Sequence, residues 1–312
     1  MKAYTLYAVN VDVDTVGEDV FIDQVSDLTT NPGIVQNLLG GDGAVDPKYL
    51  SVLAQQCRLM FSTTALATVL AKNSSKFLIN GLDIDTDGGA DGVSFWYQKM
   101  QDGGSRATGA VHEKMVVKKG LLLPRGLQVA QGGNAALALE CVPTYDLTNN
   151  PIVLSQADVT GTPNVDEVFT LGPCNINGSA LDNTQSLNLA PSIAEVLLGG
   201  DGHIWNKFVA IGERRPVARI RTTDVSVLRT YSLTGTAIDA NNVVLYLRKR
   251  AQGSTLVSDA TEEHIKMTIY DGMIFADQIQ STHPGPAMAE LLIVGRKGSN
   301  DIVSVDTTSA IT

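Results

Sequence analysis

Residues 32–43 read Pro-Gly-Ile-Val-Gln-Asn-Leu-Leu-Gly-Gly-Asp-Gly, and residues 191–202 read Pro-Ser-Ile-Ala-Glu-Val-Leu-Leu-Gly-Gly-Asp-Gly. A run that returns 159 positions on, from Pro32 to Pro191, calls for the rest of the copy. At that offset Lys48 falls on Lys207, Val52 on Ile211 and Thr63-Thr64 on Thr222-Thr223. Further along the offset shortens slightly. Phe95-Trp96-Tyr97-Gln98-Lys99 then falls on Leu245-Tyr246-Leu247-Arg248-Lys249, His112 on His264, Gly120 on Gly272 and Ile152 on Ile302. A short period would make a solenoid; so long a period means one domain written twice. The join falls in the linker-like stretch 156–165, before Phe169-Thr170-Leu171 restarts the pattern of Tyr4-Thr5-Leu6. The expected domains are 1–157 and 158–312. Charge repeats too: 11 basic and 16 acidic side chains in 1–155, 12 and 17 in 156–312, so each half carries −5.

Within a half the pattern is mostly strand. Ile265, Met267 and Ile269 alternate with His264, Lys266 and Thr268, as do Leu137, Leu139 and Cys141 with Ala138 and Glu140. One short helix per half is expected near 63–71 and 222–230, with Thr63 or Thr64 as N-cap and Leu66, Val69 and Leu70 on its apolar face. The second copy places Val225, Leu228 and Arg229 on that face. Many short strands punctuated by 29 glycines predict a β-sandwich or open barrel in each half.

The 312 residues are 44% apolar and 18% charged, which excludes a disordered chain. No apolar run follows Lys2 before Asp12 and Asp14, so no secretory leader is expected, and no stretch approaches a membrane span. Cys57, Cys141 and Cys174 are odd in number and far apart, which argues against a disulfide framework. A net charge of −10 disfavours a protein that grips nucleic acid.

Candidate chemistry is sparse. Asp83-Ile84-Asp85-Thr86-Asp87-Gly88 copies the start of a calcium loop, but Ser94 stands where the bidentate glutamate belongs and the second copy offers only Asp239. The stretch is read as an acidic turn. Leu38-Leu39-Gly40-Gly41-Asp42-Gly43 lacks the features of a phosphate loop, and its aspartate would repel phosphate, so its glycines are assigned to a tight turn. His112 and His264 hold equivalent places and predict a shared structural or interface role. Arg219 and Arg221 should share a strand face opposite Ala218 and Ile220. No nucleophile motif accompanies any histidine. Neither a catalytic residue, a cofactor nor a metal is assigned.

The duplicated strand–helix runs around Thr63-Thr64 and Thr222-Thr223 resemble the tube domain of tail tube proteins of long-tailed bacteriophages. So do the strands from Gly120 to Ser155 and from Gly272 to Val305. The resemblance covers the whole chain and rests on architecture. It implies a virion structural protein, located in the tail and assembled in the host cytoplasm. Three chains of two domains would close a pseudo-sixfold ring, and rings would stack into a tube, with other tail proteins at its ends. Phage DNA would pass through without specific binding; acidic lining repels phosphates, although salt limits its reach to about 8 Å. A distal tail or baseplate ring protein and a double-jelly-roll coat protein are the alternatives. A carbohydrate-binding or hydrolase module fits less well, because Trp96 and Trp205 are the sole tryptophans.

Two long hairpin loops, 101–110 and 251–260, are the expected contacts between subunits or stacked rings. Their candidate residues are Asp102, Arg106 and Thr108 in the first, and Ser254, Val257 and Asp259 in the second. A ten-residue hairpin connection exceeds the usual two to five, and long loops tend to carry function. Across subunits, Arg106 is expected to meet the acidic rim from Asp83 to Asp91.

Overall fold

The computed structural model describes residues 3–13, 18–40, 46–85, 91–159, 161, 168–251, 257–281 and 284–312. The first half runs β1 (Ala3–Asp12), β2 (Val20–Ile22), β3 (Val25–Asn31), β4 (Ile34–Leu39), β5 (Tyr49–Gln55) and β6 (Arg58–Thr63). Three helical pieces follow, α1 (Leu66–Leu70), α2 (Lys72–Ser75) and α3 (Phe77–Asn80), and then β7 (Leu82–Ile84) and β8 (Gly92–Met100). The half ends with β9 (His112–Val117), β10 (Gly120–Ala130), β11 (Ala136–Pro143) and β12 (Val153–Ala157). The second half runs β13 (Val168–Ile176), β14 (Ser179–Leu181), β15 (Thr184–Ala190), β16 (Ile193–Leu198), β17 (Phe208–Arg214), β18 (Val217–Thr222) and α4 (Val227–Thr230). It continues with β19 (Thr236–Ala237), β20 (Val243–Arg250), β21 (His264–Ile269), β22 (Gly272–Gln280), β23 (Met288–Gly295) and β24 (Val303–Ser309). The protein is mainly β, in several antiparallel sheets.

Two five-stranded sheets are ordered β2-β1-β8-β9-β12 and β14-β13-β20-β21-β24. A ten-stranded sheet takes strands from both halves, in the order β3-β6-β11-β10-β15-β18-β23-β22-β19, with β7 also on β10. Each five-stranded sheet packs its apolar face on part of the ten-stranded one. Phe61 of β6 and Phe95 of β8 meet edge to face across that gap, ring centres 5.4 Å apart. Leu137, Leu139, Cys141, Ile265, Met267 and Ile269 are buried as the alternation predicts, but the opposite face is not open as expected, since Glu140, His264 and Thr268 are buried too. One continuous core runs through both halves, passing from Leu127 to Leu187, Leu189 and Phe169.

Several ladders of the two halves shift register at corresponding places, although β21–β24 has a shift that β9–β12 lacks. β1–β8 shifts register between Leu6 and Ala8, and β13–β20 shifts between Leu171 and Cys174. β10–β11 shifts between Pro124 and Gly126, and β22–β23 between Ala276 and Gln278, so Arg125 and Asp277 stand at corresponding bulges. Gly120 and Gly272 open β10 and β22 with φ of +146° and +143°. A Cβ there would lie 2.1 Å from the Val142 carbonyl oxygen and 2.0 Å from that of Val294.

The helices depart from expectation. α1 starts at Leu66, after Ala65, with no side-chain cap. The Thr63 hydroxyl instead donates to the Asp23 carbonyl at 3.1 Å and accepts the Ala65 N–H at 3.1 Å. Thr222 does the same with Asp182 at 2.6 Å and Asp224 at 3.0 Å, so both threonines clip strand ends. The first half has three helical pieces rather than one, because Asn73 and Ser74 adopt positive φ and break the run. Leu66, Val69 and Leu70 are buried as expected. In the second half the Asp224 carboxylate accepts the Ser226 N–H at 2.9 Å, a local turn that delays the helix to Val227. Val227 is therefore the buried residue, and Val225 is exposed.

Candidate assembly surfaces

The two halves meet edge to edge where β10 pairs with β15, in the register Leu127 to Leu189, Gln128 to Asn188, Val129 to Leu187 and Ala130 to Ser186. β7 covers the start of β10, and β15 covers its end. On β22 the start is covered by β19, at Ile274 and Met273, while the stretch from Asp277 to Gln280 has no strand on that side among the described residues. β3 ends the sheet at the opposite side. Leu127 is fully buried, whereas Ile279, 152 positions on, is 62% exposed.

Two hairpin arms stand outside the sheets, β4–β5 and β16–β17. The second lies on the back of the first half. Ile193 there joins Leu121, Leu123 and Val142 in a small separate core, with Leu197, Val209 and Ile211 packed against it. Arg125 donates to the Ile193 carbonyl at 2.6 Å, to Glu195 at 2.9 Å and to Glu140. Arg58 adds a 2.7 Å bond to Glu140. Near the tip of this arm, the Trp205 indole N–H donates to the Gln55 side chain at 3.0 Å, and the ring lies 5.1 Å from that of Tyr145. In the copy at 199–202 the glycine-rich run does turn, with positive φ at Asp201 and Gly202, while residues 41–43 of the first run lie outside the described residues. The first arm lacks such a cover: Ile34 is 47% exposed where Ile193 is 5%.

The loop carrying Asp102, Arg106 and Thr108 is folded on itself. The Gln101 N–H donates to Ser105 at 2.8 Å, and the buried Ala107 donates to Lys99 at 3.0 Å. Asp102 and Thr108 are exposed. Within the chain, Arg106 donates to the Tyr7 hydroxyl at 3.2 Å and lies over its ring. In the acidic rim, Lys114 and Lys118 sit 3.3 and 3.5 Å from Asp91; burial pushes its carboxyl up, and the lysines outweigh that and hold it below the usual range. Asp83 is shifted upward by burial and by Asp85. Residues 86–90 lie outside the described residues, and among the described ones no three metal-ligating side chains converge.

In the second loop Ser254 lies outside the described residues. Val257 is half-buried, and Asp259 receives Arg248 at 2.7 Å. The two histidines close the bases of these loops. His112 Nδ1 accepts the Lys99 N–H at 2.9 Å, and His264 Nδ1 accepts that of Lys249 at 3.0 Å. With Nδ1 accepting, the proton sits on Nε2, which in His264 donates to the Ser258 carbonyl at 3.0 Å. Arg219 and Arg221 share one face as expected and both bind Glu290 at 2.7 Å, with Asp277 also on Arg219.

Sequence reasoning singled out the loops and missed the arms. Their signal was present in Leu38, Leu39, Tyr49 and Leu50, apolar side chains that a half-buried strand would alternate with polar ones. No protein-family model matches the sequence, and no match was found among curated proteins. No helix among the described residues is long and apolar enough to cross a membrane.

Proposed function

We propose that the chain is a virion structural protein, the tail tube subunit of a long-tailed bacteriophage. In this reading 1–157 and 158–312 are two copies of one β-sandwich domain, and three chains close head to tail into a ring of six domains. Rings stack into a tube through which DNA passes without specific binding. The partners are further copies of the chain and other tail proteins at the tube ends; the site is the virion tail, assembled in the host cytoplasm. The chain has no enzymatic role.

The observation that carries this reading is the β10–β15 seam. Pairing the open end of β22 with β3 of another chain would repeat it, setting Ile279 opposite Thr30 where Leu127 faces Leu189. Such a contact joins two unlike surfaces, so it ends only when the ring closes or runs on as a filament. Electron microscopy of virions and of the purified chain, with cross-linked mass, tests it. Stacked rings of three chains are expected. A stable monomer in particles or a ring of six chains would count against it, a single terminal ring would favour a baseplate protein, and closed shells a coat protein.

A further inference from the structure

We propose that the β4–β5 arm docks on the back of β22 and β23 of a second copy of this chain, with Asp46 facing Arg214. The proposal rests on the ring reading above and specifies which surfaces meet.

The template is the contact that the β16–β17 arm makes inside the chain. Its apolar floor is Leu121, Leu123 and Val142. The residues 152 positions on are Met273, Phe275 and Val294, and they stand at the same places beside Gly272 and the Asp277 bulge. Leu121 is 8% exposed under its arm, while Met273 is 39% exposed. The apolar lid of the template is Ile193, Leu197 and Val209. Their counterparts 159 positions earlier are Ile34, Leu38 and Leu50, all exposed. A floor without a lid and a lid without a floor are thus present on one chain, too far apart in the sheet order to meet within it. Burying both is the hydrophobic gain that a second copy supplies.

The polar residues match as well. At the tip of the docked arm Trp205 donates to Gln55. The counterpart of Trp205 is Asp46 and that of Gln55 is Arg214, a hydrogen bond exchanged for an opposite-charge pair. Both residues are exposed. At the base of the arm Glu195 meets Arg125, and the counterparts are Gln36 and Asp277, an amide N–H donor set against a carboxylate. Crossing the two arms would instead set Glu195 against Asp277, like charges at close range. The bulge charge therefore assigns the β4–β5 arm to the second half and the β16–β17 arm to the first.

The test is charge reversal in the full chain. Asp46→Arg and Arg214→Asp should each lower the yield of assembled rings roughly tenfold, and the double reversal should restore it. Independently, Asp46→Cys with Arg214→Cys should give disulfide-linked dimers and trimers on oxidation of assembled particles. Normal assembly by both single variants, together with no cross-link, would overturn the docking and leave the ring reading standing. A wild-type chain that forms no ring or tube in virions would overturn both.

Discussion

Arg125 donates to Glu195 at 2.9 Å and so ties the body of the first half to the arm of the second. The same guanidinium holds Glu140, and both carboxylates are largely removed from water, with side-chain exposures of 8% and 12%. Removing one partner of a buried ion pair leaves a desolvated charge, which costs far more than the pair itself contributes. Arg125→Met should lower unfolding stability by about 2–4 kcal/mol, less than a fully buried case because Arg58 still reaches Glu140. Urea denaturation of the purified chain measures it; a loss below about 0.5 kcal/mol, the level of an ordinary surface change, would show that the network is solvated.

Acid should weaken the fold through two glutamates. Burial raises the Glu195 pKa, but bonds from Arg125 and Arg58 outweigh it and bring it below the usual 4.5. At Glu290 burial is likewise outweighed, by Arg219 and Arg221. A carboxylate with a depressed folded pKa contributes stability that is complete above its unfolded pKa and is lost as pH falls through the folded one. The urea midpoint should therefore lose this contribution progressively below about pH 5. Glu195→Gln with Glu290→Gln should make that acid limb shallower. An unchanged limb would assign the acid sensitivity to other carboxylates.

Gly120 and Gly272 should each resist replacement by alanine. Their φ angles are +146° and +143°, and the atom a Cβ would strike is a backbone carbonyl oxygen, which cannot swing away as a side chain can. A strained position of this kind costs about 1–3 kcal/mol. Thermal unfolding of the two single variants should show comparable drops, since the two surroundings match. A drop in one alone would mean that the matching ladders are not energetically alike.

The three cysteines should be silent in the native protein. Burial pushes the Cys57 and Cys141 thiols up and that of Cys174 to about 12, so little reactive thiolate exists near neutral pH. Alkylation counted by mass should find no modified thiol in the folded chain and all three in denaturant. Rapid native labelling of Cys174 would show that the second half opens locally.

What was legible in the sequence was what local periodicity encodes. Ile265, Met267 and Ile269 declared their face because a strand turns every second side chain inward. Arg219 and Arg221 did so for the same reason. The helix starts were misread because Thr63 and Asp224 use their side chains in local turns, a competition that propensity does not resolve. The seam was illegible for a different reason. That Leu127 lies beside Leu189, while Ile279 is left open, follows from partner choice between strands, and no period carries that. The bond from the Lys99 N–H to His112 across the loop base depends on the hairpin closing, which no local pattern encodes.

The β10–β15 seam also has a kinetic meaning. Two domains held on one chain meet at an effective concentration in the millimolar range for short connections, whereas separate domains meet only at their bulk concentration. In a ring of three chains every second joint would then form without a collision, and only the joints between chains would depend on how much protein is present. Dilution, or a cap over the free edge of β22, would thus stop growth at the single chain. Control over when polymerisation begins would rest on one exposed strand end.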